Sequence, residues 1–176
     1  GPILLYYVVF LFYPLVSSLI WTFYHYNPVS TSNRFAGLEN YKRLLEDPLI
    51  ATTLSNTFLL ALYIVPAGIV CSLLVALGLN RLGNLGRAMF TTAYFIPVVT
   101  SMVAAAAVWM WLFHPARGLL NQGLMGLGLA PVRWLTNPDT VKPSIAMFSI
   151  WKSLGFNAVI FLAALKAIPE DFYDAA

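Results

Sequence analysis

The chain has 176 residues, of which 60% are hydrophobic and 10% are charged, which is more apolar material than a soluble domain of this length needs to fill one core. The formal net charge of +3 arises from ten basic and seven acidic residues without any basic run, and this argues against a nucleic-acid partner. The composition therefore predicts an integral membrane protein.

Four apolar windows are long enough to cross a bilayer as helices, because a crossing needs about 20 residues. They cover about residues 3–24, 58–79, 88–113 and 145–165. Pro14, Pro66 and Pro97 fall inside the first three windows, where a membrane helix tolerates proline as a kink. The windows predict an all-α, multi-pass protein, and the absence of Asp and Glu from them argues against a proton-driven transporter.

The second predicted span carries small residues at every fourth position, namely Gly68, Ser72 and Ala76. Such a face lets another helix approach closely, so we predict a packing surface rather than a pore lining. Cys71, the only cysteine, lies in the same span. We expect it to be a packed, inert thiol, because a free cysteine usually behaves as a small buried hydrophobe.

The connections between the spans differ in length and composition. In the first, apolar residues recur with helical spacing over residues 38–45, which predicts a short amphipathic helix. The second is short, covers residues 80–87 and contains Arg81 and Arg87 without an acid. The third is rich in Gly and Pro around a predicted apolar helix at residues 119–127, and we expect it to fold against the membrane.

The fourth predicted span carries a stripe of polar and aromatic side chains at helical spacing. The stripe consists of Ser149, Lys152, Ser153, Phe156 and Asn157. Lys152 is the one basic residue within a predicted span, where a charge is costly unless it meets water or a partner. The stripe is a candidate solute path. In the alternative interpretation, Lys152 extends to the outer interface and Ser153 bonds its own backbone.

The fourth apolar window gives way to an acidic, amphipathic segment near Pro169. Proline disfavours helix at the residue before it, so Pro169 predicts a break. Glu170 and Asp171 follow where a new helix would begin, and their charges would complement its positive dipole end. The residues alone are consistent with a helix that starts at the membrane surface.

This segment resembles the opening of the EAA loop in permease subunits of bacterial binding-protein-dependent ABC importers. Within that family, the chain resembles the carbohydrate-uptake permeases of the maltose and glycerol-3-phosphate type. The likeness extends over essentially the whole chain. It is carried, in order, by the segments at residues 13–15, 35–41, 56–57, 86–88, 95–97, 118–121, 134–138, 151–156 and 163–176. Asp174 stands where the family's triplet has Glu, which keeps the carboxylate but shortens its reach.

The resemblance implies that residues 1–176 form a single partial transmembrane domain of such an importer, with four of about six membrane helices, truncated within the EAA loop. It also implies that residues 168–176 begin a cytoplasmic coupling region that docks on the ATPase. The coupling residues would be Ile168, Pro169, Glu170, Phe172, Tyr173, Asp174, Ala175 and Ala176. Phe172 and Tyr173 would enter an apolar cleft while Glu170 and Asp174 meet polar groups at its rim.

The resemblance further implies a second permease subunit, cytoplasmic ATP-binding subunits, an extracytoplasmic solute-binding protein and membrane lipid as partners in a bacterial inner membrane. Whether the two permease subunits are identical stays open. The chain has no phosphate-binding loop motif, so we expect ATP to be hydrolysed by a partner and no cofactor to bind here. His25 and His114 lack a companion at metal-ligand spacing. Loop charge does not decide the orientation, and the resemblance places the short connection in the cytoplasm.

Two other functions remain as alternatives at this point. A membrane enzyme is disfavoured because the chain has no H-E-x-x-H motif, no G-x-S-x-G elbow and no paired carboxylates within a span. A membrane scaffold without transport, or a degenerate permease fragment, would make the polar stripe of the fourth span incidental. We therefore predict a non-enzymatic subunit that forms part of an import path for a sugar or related polar solute.

Overall fold

The computed structural model describes residues 1–27, 29 and 33–169. The described chain is mainly helical, and it divides into two compact units, Gly1–Asn56 and a second that starts at Thr57. The elements are α1 (Pro2–Tyr7), a π-helical segment (Val8–Phe12), α2 (Tyr13–Trp21), β1 (Tyr24–His25), β2 (Arg34–Phe35), α3 (Glu39–Glu46), α4 (Pro48–Asn80), α5 (Asn84–Val99), α6 (Met102–Leu112), α7 (Leu119–Gly126) and α8 (Pro138–Lys166). The single domain over residues 1–176 stays a prediction.

The first predicted span is helical from Pro2 to Trp21 but contains a widened turn. The π-helical segment Val8–Phe12 lies directly before Pro14, which is near the start of α2. Proline lacks a backbone N–H and its ring displaces the carbonyl four residues earlier. A wider turn at that place accommodates the ring, so the helix continues through the proline that the sequence identified as a kink.

The connection after α2 is anchored by two polar side chains of α3. The amide Nδ2 of Asn40 donates to the carbonyl oxygens of Thr22 and Tyr24 at 2.8 and 3.0 Å. The hydroxyl groups of Tyr41 and Thr22 lie 2.6 Å apart. The short strands β1 and β2 pair antiparallel in the same unit. The predicted amphipathic helix in this connection is confirmed as α3.

An exposed charge cluster also joins β1 to α3. The ring nitrogen Nε2 of His25 lies 3.0 Å from Oε2 of Glu39, and Nη2 of Arg43 donates to Oε1 of Glu39 at 2.6 Å. The hydrogen bond with His25, followed by the hydrogen bond and charge of Arg43, lowers the pKa of Glu39 from its ordinary value. The cluster therefore favours the ionised form of Glu39 in the folded chain.

We expect this cluster to make the first unit sensitive to acid. A carboxyl group with a lowered pKa contributes stability above its unfolded pKa and loses that contribution as the pH falls through the folded pKa. Glu39→Gln should therefore speed amide hydrogen exchange of residues 22–46 roughly two- to fivefold at neutral pH, and this effect should be smaller at pH near 3. Exchange measured by mass spectrometry at both pH values checks this.

Glu46→Gln is the matched control, because within the described part of the chain Glu46 makes only a long ion pair, with Lys42 at 3.9 Å on the same helix. We expect that variant to leave exchange nearly unchanged. Equal effects of the two substitutions at neutral pH would contradict the role given to Glu39.

In the second unit, α4 buries the small-residue face that its sequence predicts. The buried residues of α4 are Gly68, Ser72, Ala76 and Leu79. A Cβ atom at Gly68 would lie 4.0 Å from Cγ1 of Ile150 in α8, and Ala76 and Leu79 pack with Leu162 further along α8. Residues later in α4 therefore contact residues later in α8, so the two helices run parallel.

Two long helices begin before the apolar windows that identified them. α4 starts at Pro48 and α8 at Pro138, whereas the windows start near residues 58 and 145. The Asn137 side chain accepts from the backbone N–H of Asp139 at 3.0 Å and caps α8. A hydropathy window measures the thickness of the bilayer, whereas caps and prolines set the end of a helix, so the two boundaries differ.

The third predicted span is interrupted. α5 and α6 are separated by Thr100 and Ser101, and their axes differ by 100°. Pro97 lies in the last turn of α5 and is buried. Within the described residues, three helical stretches are long and apolar enough to cross a membrane, or up to four if α5 and α6 act as one crossing. The number of four crossings stays a prediction.

The connection between α6 and α8 is organised by a buried asparagine. The side chain of Asn121, in α7, is fully buried, and its Nδ2 donates to the carbonyl oxygens of Pro115 and Val132 at 2.8 and 2.9 Å. Its Oδ1 accepts from the Val132 backbone N–H at 3.0 Å and from the Trp134 indole at 2.9 Å. The predicted helix near residues 119–127 is confirmed as α7, and Asn121 links it to the following loop.

Candidate functional site

Gly155 sets the distance between α8 and α5. It is buried, and a Cβ atom at this position would overlap the carbonyl oxygen of Tyr94 and lie 2.6 Å from the carbonyl carbon of the same residue. The backbone of α8 therefore lies directly against the backbone of α5. This approach brings the preceding turn of α8, with Lys152, to the C-terminal end of α5.

The ammonium group of Lys152 binds the end of α5. It donates to the carbonyl oxygen of Pro97 and, at 3.1 Å, to that of Val98. Carbonyl groups in the last turn of a helix have no partner within the helix, and the negative end of the helix dipole favours a cation there. None of the ion pairs among the described residues includes Lys152. Its charge is thus balanced by backbone carbonyls and not by a carboxylate.

The rest of the predicted stripe is divided between packing and exposure. Ser153 Oγ donates to the carbonyl oxygens of Ser149 and Ile150 at 3.0 and 3.3 Å, so its hydroxyl bonds its own helix. The Phe156 side chain is 52% exposed, whereas Ser149 and Asn157 are half-buried. Lys152 does not extend along its own helix to an interface, because its ammonium binds α5. A place for the stripe in a solute path stays a prediction.

An apolar groove lies between α4, α6 and α8. Its volume is about 620 Å³, and its wall includes Trp109 and Trp151, whose ring centres are 5.4 Å apart. Cys71 also lines the groove and is half-buried. The groove has few polar atoms, so it is unsuited to a sugar.

The predicted coupling region lies largely outside the described residues. Within them, α8 ends at Lys166, and the backbone N–H of Ala167 still donates to Ala163 at 3.2 Å. Ile168 is exposed and precedes Pro169, so the helix ends where the sequence predicts a break. The other coupling residues are outside the described part: Glu170, Phe172, Tyr173, Asp174, Ala175 and Ala176. Their docking on an ATPase stays a prediction.

The described residues contain no group of three or more His, Cys, Asp or Glu side chains that could hold a metal ion. The polar stripe offers an ammonium group that joins two helices, hydroxyl and amide groups on the same helix, and an exposed aromatic ring. Sequence periodicity identified all five residues of the stripe, but it did not identify Pro97 and Val98, whose carbonyl groups give no signal in a sequence.

Similar proteins are found over nearly the whole chain. A probable ABC transporter permease protein of Pyrococcus horikoshii is 31% identical over 99% of this chain and 60% of its own length. The arabinooligosaccharides transport system permease protein AraP of Bacillus subtilis is 33% identical over 100% of this chain and 56% of its own. No protein-family model matches the chain. The chain thus spans less than two thirds of the length of these relatives.

A solved structure has the same fold. A chain in the crystal structure of a bacterial alginate ABC transporter, in complex with an alginate pentasaccharide-bound periplasmic protein, matches with a TM-score of 0.81 and 26% identity. The match covers 99% of this chain and 57% of that chain. Because these similar proteins are transport permeases, the comparisons do not favour a non-transporting scaffold.

Proposed function

We propose, from the premise that this chain belongs to the permeases of ABC transporters, that it forms part of the membrane path for the import of a sugar or oligosaccharide. The observation that carries the proposal is the agreement of sequence and fold from one end of the chain to the other. AraP and the alginate transporter are both transport proteins that are named for a saccharide. As a permease, the chain is an integral membrane protein without an enzymatic role of its own.

The polar stripe of α8 is the part of this chain that we place beside the solute path. A sugar needs hydrogen bonds for its hydroxyl groups and an apolar surface for the face of its ring. The half-buried Ser149 and Asn157 offer the first, and the exposed ring of Phe156 offers the second. Lys152 and Ser153 complete the stripe, with their polar groups engaged by backbone carbonyls. The groove beside Trp109 is too apolar for this role.

Energy for transport would come from other subunits. We propose that cytoplasmic ATP-binding subunits dock near Ile168 and Pro169 and on the residues that follow them. A second permease subunit would complete the path, and an extracytoplasmic solute-binding protein would deliver the solute across a bacterial inner membrane. In support, the similar solved structure is described as a transporter in complex with a periplasmic protein that holds a pentasaccharide. No cofactor is proposed for this chain.

Reconstitution tests this function directly. The complete subunit that contains this chain, produced with the permease, ATPase and solute-binding proteins encoded beside it, would be placed in liposomes. We expect ATP-dependent uptake of at least one labelled oligosaccharide and co-purification of the ATPase. An assembly that binds no ATPase and takes up no saccharide would contradict the proposal.

We expect Lys152→Ala to reduce uptake far more than Cys71→Ala in this assembly. Removal of the ammonium group leaves two terminal carbonyl groups of α5 without their donor, whereas Cys71 lines the apolar groove. A charged hydrogen bond is worth about 1.5–3 kcal/mol, so a loss of roughly tenfold in uptake rate is expected for Lys152→Ala and less than about twofold for Cys71→Ala. Equal uptake rates for the two variants would argue against the stripe.

A further inference from the structure

The last turn of α5 is closed by two different sources of hydrogen bonds. The Ile96 carbonyl oxygen accepts from the Thr100 backbone N–H at 3.2 Å and from Thr100 Oγ1 at 2.8 Å, which is a local closure. The next two carbonyl groups, those of Pro97 and Val98, are bound by Lys152 of α8. Two of the three carbonyl groups that end α5 therefore depend on a side chain of another helix, and Lys152 is 54 residues from Val98 in sequence.

The contact lies directly at the bend between α5 and α6. The chain turns by 100° within Thr100 and Ser101, two residues after the last carbonyl group that Lys152 binds. Where α5 ends is set by which of its carbonyl groups find partners outside the helix. Lys152 supplies those partners, so it contributes to the position of the bend.

The α8 helix connects this contact to its own C-terminal end without interruption. From Lys152 to Lys166 the helix contains no proline and rises about 21 Å, at about 1.5 Å per residue. Gly155, one turn from Lys152, holds the backbones of α8 and α5 together at Tyr94. A displacement of the C-terminal end of α8 would thus reach α5 through two adjacent contacts, one between the two backbones and one through the charged side chain of Lys152.

We propose that Lys152 is a positioning residue that ties the bend between α5 and α6 to α8, so that movement of α8 is passed to the bend. The inference rests on the proposed function for its meaning in transport, and it narrows the role of Lys152 within the stripe: the ammonium group acts through the α5 carbonyls and not by touching the solute. The tie itself is a property of the fold and can be tested without transport.

The first test measures hydrogen exchange in the complete, detergent-solubilised permease assembly, in a peptide that covers residues 96–101. Lys152→Met keeps the length of the side chain but removes the charge and the donors. We expect exchange about fivefold faster or more in this variant, because an uncapped last turn opens more often. Lys152→Arg, which keeps a cation with several donors, should remain within about twofold of the wild type.

Lys166→Met is the matched control, because Lys166 lies on the same helix, is exposed and is far from the bend. In the Lys166→Met variant, hydrogen exchange of residues 96–101 should equal that of the wild type. If Lys152→Met also leaves exchange unchanged, or if Lys166→Met accelerates it equally, the tie does not exist and the proposal is overturned.

The second test separates positioning from solute contact. In the reconstituted importer, Lys152→Met should lower the maximal uptake rate about tenfold, leave the half-saturating solute concentration within about twofold, and weaken the stimulation of ATPase activity by solute. A raised half-saturating concentration with an unchanged maximal rate would show direct contact with the solute and would overturn the proposal. If the wild-type assembly transports nothing, the proposed function fails, while the exchange experiment still decides whether the tie exists.

Discussion

Gly155→Ala is expected to prevent stable packing of the second unit, even though it adds a single methyl group. The new Cβ atom would overlap the Tyr94 carbonyl oxygen and lie 3.2 Å from the Cα of Phe95, and all of these obstacles are backbone atoms. A backbone cannot rotate away as a side chain can, so α5 and α8 would have to separate. Overpacking of a tight interface costs about 1–3 kcal/mol and occasionally more, and we place this case at or above about 3 kcal/mol.

Gly78→Ala provides the matched control in a long apolar helix. Gly78 lies within α4, and a Cβ atom there meets nothing within 4 Å. Because Ala is a better helix former than Gly, this variant should be neutral or more stable by up to about 1 kcal/mol. Thermal unfolding in detergent, followed by the fraction of monodisperse protein, compares the two. Equal midpoints would show that the α5–α8 contact is looser than the structure indicates.

Asn121→Leu is expected to have the second large effect. The substitution keeps a similar volume but removes the Oδ1 atom, which accepts from two donors, and the Nδ2 group, which donates to two carbonyl oxygens. A buried donor or acceptor without a partner costs about 1–3 kcal/mol, so a total near 4 kcal/mol is expected after partial relaxation. The connection between α6 and α8 should become a site of rapid proteolysis.

Gln122→Leu tests whether this loss belongs to the buried network. Gln122 is the exposed neighbour of Asn121 and makes one side-chain bond, from Nε2 to the Arg117 carbonyl oxygen at 3.2 Å. Limited proteolysis of residues 114–137, together with thermal unfolding, should show little change for this variant. Similar cleavage rates for the two leucine variants would mean that Asn121 does not organise the loop.

The sequence predicted those parts of the fold that depend on a local pattern. The buried face of α4 follows from small residues at every fourth position, and α3 and α7 follow from helical spacing of apolar residues. The stripe on α8 follows from the same rule. These patterns need only the geometry of one helix, so no knowledge of the neighbouring elements is required.

The bend between α5 and α6 could not be predicted in this way. Three predicted spans contain a proline, yet Pro14 follows a π-helical segment, Pro66 lies inside an uninterrupted helix, and Pro97 precedes a break. The presence of a proline therefore does not determine which of these three outcomes occurs. What differs is the surroundings, because at Pro97 a lysine from a distant helix binds the carbonyl groups that a break leaves without partners. Asn121 is similar, since its partners are up to 13 residues away.

The parallel course of α4 and α8 has a consequence for mapping which face of the bilayer each connection occupies. Leu82, just after α4, and Leu165, near the end of α8, join the same apolar cluster, so the two chain segments that follow these helices emerge on one face. Ser144 Oγ donates to the Trp134 carbonyl oxygen, and Ser144 lies about 32 Å from Leu165 along α8. This distance is close to a bilayer thickness, so an α8 that crosses the membrane would put the long connection on the opposite face. One reporter at Arg81 would therefore assign the side of all three segments, a question that loop charges alone leave open.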